Sequence, residues 1–227
     1  MNILNVAQYS DEWWLARKGR FTASDAQTIS VAGAGLETLA WEKAAEMIMT
    51  DEQYLTVLSR RRSMPSMDFG SAQESFSRDW LSEKLNCEII DGGIALFDDN
   101  TSFSADGFIG EKIGLEIKNH EPKIALRMFA KIENGIKNNI APKDIFDREH
   151  YAQMQFSLLK SEFNKWIFAM GSDCWGDSLR YWEIKPDIER MDNISAGLIK
   201  GQSLINEFVN RILESNNSYM NRDKDDK

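Results

Sequence analysis

The chain has 227 residues, 42% of them hydrophobic and 28% charged, which suits one α/β domain with an ample core that needs no covalent staple. A net charge of −9 excludes a general nucleic-acid binder held by bulk charge, though not a protein with a local basic path. No apolar run is long enough to cross a bilayer, the first residues lack a signal-peptide pattern, and Cys87 and Cys174 stand far apart in no metal-like spacing, so a cytoplasmic protein is expected.

Residues 37–50 predict a helix, with Leu39, Ala40, Ala44, Met47 and Ile48 near helical spacing. A short basic patch follows, Arg60, Arg61 and Arg62, bounded by serines. Residues 66–86 predict a second helix whose buried stripe is Phe69, Ala72, Phe76, Trp80, Leu81 and Leu85. The texture then changes. Apolar runs at 87–90, 94–97, 103–105 and 113–117 are separated by Asp-Gly-Gly, Asp-Asp-Asn and Gly-Glu-Lys, the pattern of antiparallel strands joined by turns.

Helical periodicity returns at 123–135 and again from 147 to 160. Strands are expected at 165–170 and 179–184, and a long amphipathic helix at 188–214. The last dozen residues end in Asp-Lys-Asp-Asp-Lys and read as a disordered tail, which sets a domain at 1–215 and a tail at 216–227. The order predicts a single α/β domain with a central mixed β-sheet flanked by helices.

The most informative stretch is 103–120, FSADGFIGEKIGLEIKNH. Asp106 is expected to end one strand at an Asp-Gly turn, and Glu116 and Lys118 to share one face of the next. A hairpin would bring Asp106 beside Glu116. Two carboxylates that close repel unless a cation lies between them, and hard anionic oxygens suit magnesium or manganese better than zinc. A lysine beside such an ion can orient or deprotonate water and steady charge on phosphorus oxygens, so the chemistry implied is phosphodiester hydrolysis. The plain alternative is a hairpin turn and a solvated strand edge. Glu74 lies one step off the stripe of the second helix, and Gln153, with Glu149 at i−4, is better placed than Gln155 to face a site.

Five segments together carry a resemblance: 14–24 (WLARKGRFTAS), 70–76 (GSAQESF), 104–107 (SADG), 115–118 (LEIK) and 151–155 (YAQMQ). In this order they resemble the phage lambda exonuclease and viral recombinase (YqaJ-like) family of PD-(D/E)XK nucleases, and they reach across most of the chain. Two departures stand out: Ala105 replaces a proline, and Asn119-His120 replaces a Cys-Pro pair. The resemblance implies a restriction-endonuclease-like core. It makes Asp106, Glu116 and the Ile117 carbonyl metal ligands, Lys118 the catalytic lysine, and Glu74 and Gln153 groups that hold a second metal or its waters. Arg17, Ser24 and Ser104 correspond to a 5′-phosphate site, for which a planar guanidinium and small hydroxyls are suited.

What the resemblance implies is a magnesium-dependent 5′-to-3′ exonuclease, with manganese as substitute, that digests one strand of duplex DNA to mononucleotides and leaves a 3′ overhang. It also implies a ring-shaped homotrimer, a single-strand annealing partner for recombination and, if phage-encoded, the bacterial cytoplasm. Arg60, Arg61 and Arg62 are candidates to line the DNA path, against a solvated loop. The rival readings are an endonuclease or nickase on the same fold, and a non-catalytic DNA-end-binding module. Iron–sulfur relatives are excluded, because two cysteines cannot supply four cluster ligands.

Overall fold

A computed structural model describes the backbone of residues 2–61, 65–172 and 179–225, with side chains apart from those of 61, 65–73 and 216–225. The chain opens with a short strand β1 (Asn2–Leu4) and helix α1 (Asp11–Arg17), which starts where Ser10 Oγ accepts from Trp13 N at 3.2 Å. Strand β2 (Phe21–Thr22) leads through a 3₁₀ turn at Ala23–Asp25 into helix α2 (Ala26–Val31). Helices α3 (Ala34–Ile48), α4 (Asp51–Arg61) and α5 (Pro65–Leu85) follow.

The strand-rich middle holds β3 (Ile89–Ile90), β4 (Ile94–Asp98), β5 (Thr101–Ser104), β6 (Gly107–Ile109) and β7 (Ile113–Asn119). Helix α6 (Pro122–Lys137) begins with proline at its first turn, where the missing N–H costs nothing. A single turn α7 (Pro142–Ile145) precedes α8 (Arg148–Ser161), capped by Asp147 Oδ1 accepting from Glu149 N and His150 N. Strands β8 (Lys165–Gly171) and β9 (Arg180–Ile184) then lead to α9 (Ile188–Asp225).

The α/β architecture is as expected, but the strands divide between two mixed sheets, ordered β1-β4-β5-β2 and β3-β6-β7-β8-β9. The first has one parallel pair, β2 with β5, and the second has one, β7 with β8 in register over their full lengths. Helices α6 to α8 supply the crossover that a parallel pair requires. In the second sheet β7 is covered on both faces. Leu115 and Ile117 pack with Leu81 of α5 on one side, and α8 covers the other. Each such buried aliphatic side chain is worth roughly 1.5–3 kcal/mol.

The larger core joins α2, α3, α8 and α9. There α9 approaches α2 so closely that a Cβ on Gly197 would lie 2.0 Å from the Ile29 carbonyl oxygen, so only glycine fits.

Several expectations are corrected. Phe76 is 60% exposed, and α5 instead buries Ser77 and Leu81. Phe69 and Ala72 lie outside the described side chains. The basic patch is not a loop where it is described, since Arg60 and Arg61 form the last residues of helix α4. Short strands β1, β2 and β6 are too brief to show periodicity. Helix α9 continues through most of the segment expected to be a tail. No described helix is long and apolar enough to cross a membrane.

Candidate active site

Asp106 does not sit in a hairpin turn. It occupies the link between β5, in the first sheet, and β6, in the second. The strand that pairs with β7 is β6, with Gly107 opposite Leu115, and the reversal is made at residues 110–112. Asp106 N donates to Leu115 O at 3.0 Å, and Asp106 Oδ2 accepts from Ile117 N at 2.5 Å. The carboxylate is thus held where the two sheets part, against the middle of β7.

Glu116 is only 2% exposed, an arrangement that requires partners because a buried lone carboxylate is costly. It has two. Gln153 Nε2 of α8 donates to Glu116 Oε1 at 2.8 Å, and Lys118 Nζ forms an ion pair with the same oxygen. Strand alternation places Glu116 and Lys118 on one face, as expected.

Glu74 reaches the same region from α5. Its Oε1 accepts from Arg78 Nη1 at 3.2 Å, while that nitrogen also donates to the Asp106 carbonyl at 3.0 Å. Arg78 Nη2 lies 3.5 Å from Asp91 Oδ2. The loop bearing Asp91 is drawn in by Gly92, where a Cβ would sit 1.9 Å from the Ala105 carbonyl oxygen.

The electrostatics follow from this crowding. Burial, then Glu116 and Glu74, hold the Asp106 carboxyl well above its ordinary range. Burial also raises Glu74, with Arg78 opposing and Asp91 and Glu116 adding to the rise. Burial pulls the Lys118 ammonium down, but Glu116 and Asp106 outweigh it and the group is held above its ordinary value. The carboxylates therefore outnumber the cations that face them, which is the electrostatic setting of a divalent-cation site. Their oxygens are the hard donors that magnesium takes. Among the described residues, however, no three acids converge into a ready cage, since each is turned toward a protein partner.

Beside this centre lies a cavity of about 370 Å³ lined by Gln8, Trp13, Glu74, Arg78, Asp91 and Ser104, among others. Trp13 Nε1 donates to Ser104 Oγ at 3.1 Å, and the Arg17 guanidinium lies over the Trp13 ring, 4.3 Å from its centroid. Arg17 Nη2 is 3.5 Å from Ser24 Oγ, which lies 2.8 Å from Thr22 Oγ1. One indole therefore joins Arg17, at the end of α1, to Ser104, at the end of β5, with Ser24 alongside. Burial lowers the Arg17 guanidinium below its ordinary value, with Asp25 foremost among the groups that oppose the fall.

Asp106, Glu116, Ile117, Lys118, Glu74 and Gln153 are brought together, and Arg17, Ser24 and Ser104 form a neighbouring group. Arg60 is exposed, while the Arg61 side chain and Arg62 lie outside the described residues. Glu149 is exposed at the start of α8, one turn from Gln153. Gln155 is structural, accepting from Asp187 N and donating to Lys185 O.

Sequence reasoning missed Arg78, Asp91, Trp13 and Tyr9. Arg78 had a signal, its i+4 spacing from Glu74. Tyr9 had none; burial, then Glu74 and Asp106, raise its phenol, which places it by the carboxylates. His120 and His150 lie 6.2 Å apart, and burial together with Lys118 lowers both, His150 to about 4.

No protein-family model matches the chain, and no curated protein sequence does. Solved structures do match in fold. The alkaline exonuclease LHK-Exo of Laribacter hongkongensis aligns over 90% of this chain and 99% of its own, at 18% identity and a TM-score of 0.66. In complex with dAMP the same enzyme aligns over 92% and 100%, at 17% identity and 0.73. A phage-related exonuclease of Haemophilus somnus aligns over 85% and 96%, at 10% identity and 0.59. The chain thus shares its fold with these exonucleases, in agreement with the core that the resemblance read from the motifs implies.

Proposed function

We propose that this chain is a metal-dependent deoxyribonuclease that digests one strand of linear duplex DNA from a 5′-phosphorylated end and leaves a 3′ overhang. The observation that supports this most is the meeting of Glu74, Asp106, Glu116, Lys118 and Gln153 in a fold shared with exonucleases. Glu74, Asp106, Glu116 and the Ile117 carbonyl would hold magnesium, or manganese in its place, in a site of two ions. Bound there, such ions polarise a phosphoryl oxygen and lower the pKa of a water.

Lys118 stays charged between Glu116 and Asp106, which suits it to steadying negative charge on the phosphorus oxygens rather than taking a proton. Gln153 orients Glu116. Arg17, Ser24 and Ser104 would take the terminal phosphate, with Trp13 bracing the first and last of them. One similar enzyme has been solved with dAMP, the kind of product this reaction releases. The same reading carries a ring homotrimer and an annealing partner, for which sedimentation and co-purification are the tests.

The deciding experiment uses linear duplex DNA with one end 5′-phosphorylated and the other blocked, together with a closed circle, in magnesium and in chelator. Magnesium-dependent release of mononucleotides from the phosphorylated strand is expected, with the circle intact and activity abolished by Lys118→Ala or Glu116→Ala. Cutting of the circle would overturn the end dependence, and cutting of neither would overturn the nuclease.

A further inference from the structure

Helix α6 begins directly beyond the strand that carries Glu116 and Lys118. Along it Lys123, Arg127 and Lys131 recur every fourth residue, a row with a repeat of about 6 Å along the helix axis. All three are exposed, and no described acid pairs with any of them. The next row is Ile124, Met128 and Ile132, of which Ile124 is 45% exposed and Ile132 is buried as the floor. The two rows line a groove of about 690 Å³, closed by Ile145 and by Glu121 and Asp147. Asp147 is committed to capping α8, and Gln153, which meets Glu116, lies further along the same helix, about 9 Å along its axis from this end of the groove.

In a protein of net charge −9, an unneutralised line of three cations beside an apolar line calls for a polyanion with exposed apolar faces. Single-stranded DNA has that form: one line of phosphates, with unstacked bases that lie on apolar side chains. A duplex presents two phosphate lines and hides its base faces. We infer that the α6 groove binds single-stranded DNA beside the catalytic centre, with Lys123, Arg127 and Lys131 on the phosphates and Ile124 and Met128 under the bases. The inference rests on the nuclease reading for its biological sense but not for its test.

The test measures binding of the full-length protein in chelator, where hydrolysis plays no part. Fluorescence anisotropy follows a labelled oligodeoxynucleotide of about 16 nucleotides and its blunt duplex across a salt series. The variant Lys123→Ala/Arg127→Ala/Lys131→Ala is expected to lose about tenfold or more in single-strand affinity, and its salt slope to fall by about 2. The charge-keeping variant Lys123→Arg/Arg127→Lys/Lys131→Arg should retain both. Circular dichroism confirms that the exposed substitutions leave the helices intact. Unchanged affinity and slope would overturn the groove and leave the cation row to an acidic protein partner. Equal loss for duplex and single strand would overturn the single-strand assignment. Loss of binding in a protein that never cuts DNA would uphold the groove and remove the nuclease.

Discussion

Gln153 of α8 donates its amide to the carboxylate of Glu116 on β7, 37 residues earlier in the chain, at 2.8 Å. The contact ties the helix that closes the crossover to the strand that carries the proposed chemistry. Gln153→Ala is expected to lower turnover by about 10–100-fold, as removal of an outer partner of a metal-ligating carboxylate does. Gln153→Glu should do worse, because it sets a second carboxylate against Glu116. Steady-state hydrolysis over a magnesium titration separates weakened metal affinity from slower turnover. Full activity in Gln153→Ala would show that Glu116 needs no orientation from α8.

Arg78 joins Glu74 to the Asp106 carbonyl and so fixes α5 against the link between the sheets. It also opposes the rise of the Glu74 carboxyl. Arg78→Ala is expected to cut kcat and to move the acid limb of the pH–rate profile upward, since Glu74 then ionises at higher pH. Arg78→Lys keeps the charge and loses the fork, so it should restore the limb but not the rate. An acid limb that does not move in Arg78→Ala would show that Glu74 lies outside the ionisation controlling activity.

Asp106 is a carboxyl whose pKa is raised in the folded state, so folding binds protons there. Its contribution is favourable in acid and is lost as pH rises through the folded value; the metal-free protein carries the cost at neutral pH. Asp106→Asn is therefore expected to raise Tm without metal at pH 7–8, by about 2–4 °C for each kcal/mol relieved, and the gain should shrink toward pH 4. Magnesium should raise the wild-type Tm and leave the variant unmoved. A variant less stable than wild type at pH 8 in chelator would contradict the crowding.

Arg17 lies on the Trp13 ring, and Trp13 holds Ser104. Arg17→Ala is expected to reduce the preference for 5′-phosphorylated over 5′-hydroxyl ends by about tenfold or more, consistent with loss of a charge-assisted pair. Trp13→Phe keeps an aromatic face but removes the donor to Ser104, so a smaller reduction is expected. Competition between the two end types reads the ratio directly. An unchanged ratio in Arg17→Ala would remove this group from the phosphate site.

The succession of helices and strands, the shared face of Glu116 and Lys118, and the suspicion attached to Glu74 and Gln153 were legible in the sequence. Periodicity is a local property: a strand repeats every two residues and a helix every 3.6, and residue types reveal which is in force. What only the tertiary structure decided is where distant segments meet. Asp106 reads as a hairpin turn because Asp-Gly is the usual turn dipeptide, yet here it spans two sheets, and the pairing strand Gly107–Ile109 is too short to leave a pattern. Arg78 is announced by its i+4 spacing from Glu74, but Trp13 and Tyr9 become neighbours of the centre through packing of the N-terminal segment, which no spacing along the chain records. Local order is written in adjacent residues; the crowding of charge that makes a site exists only once the core has closed.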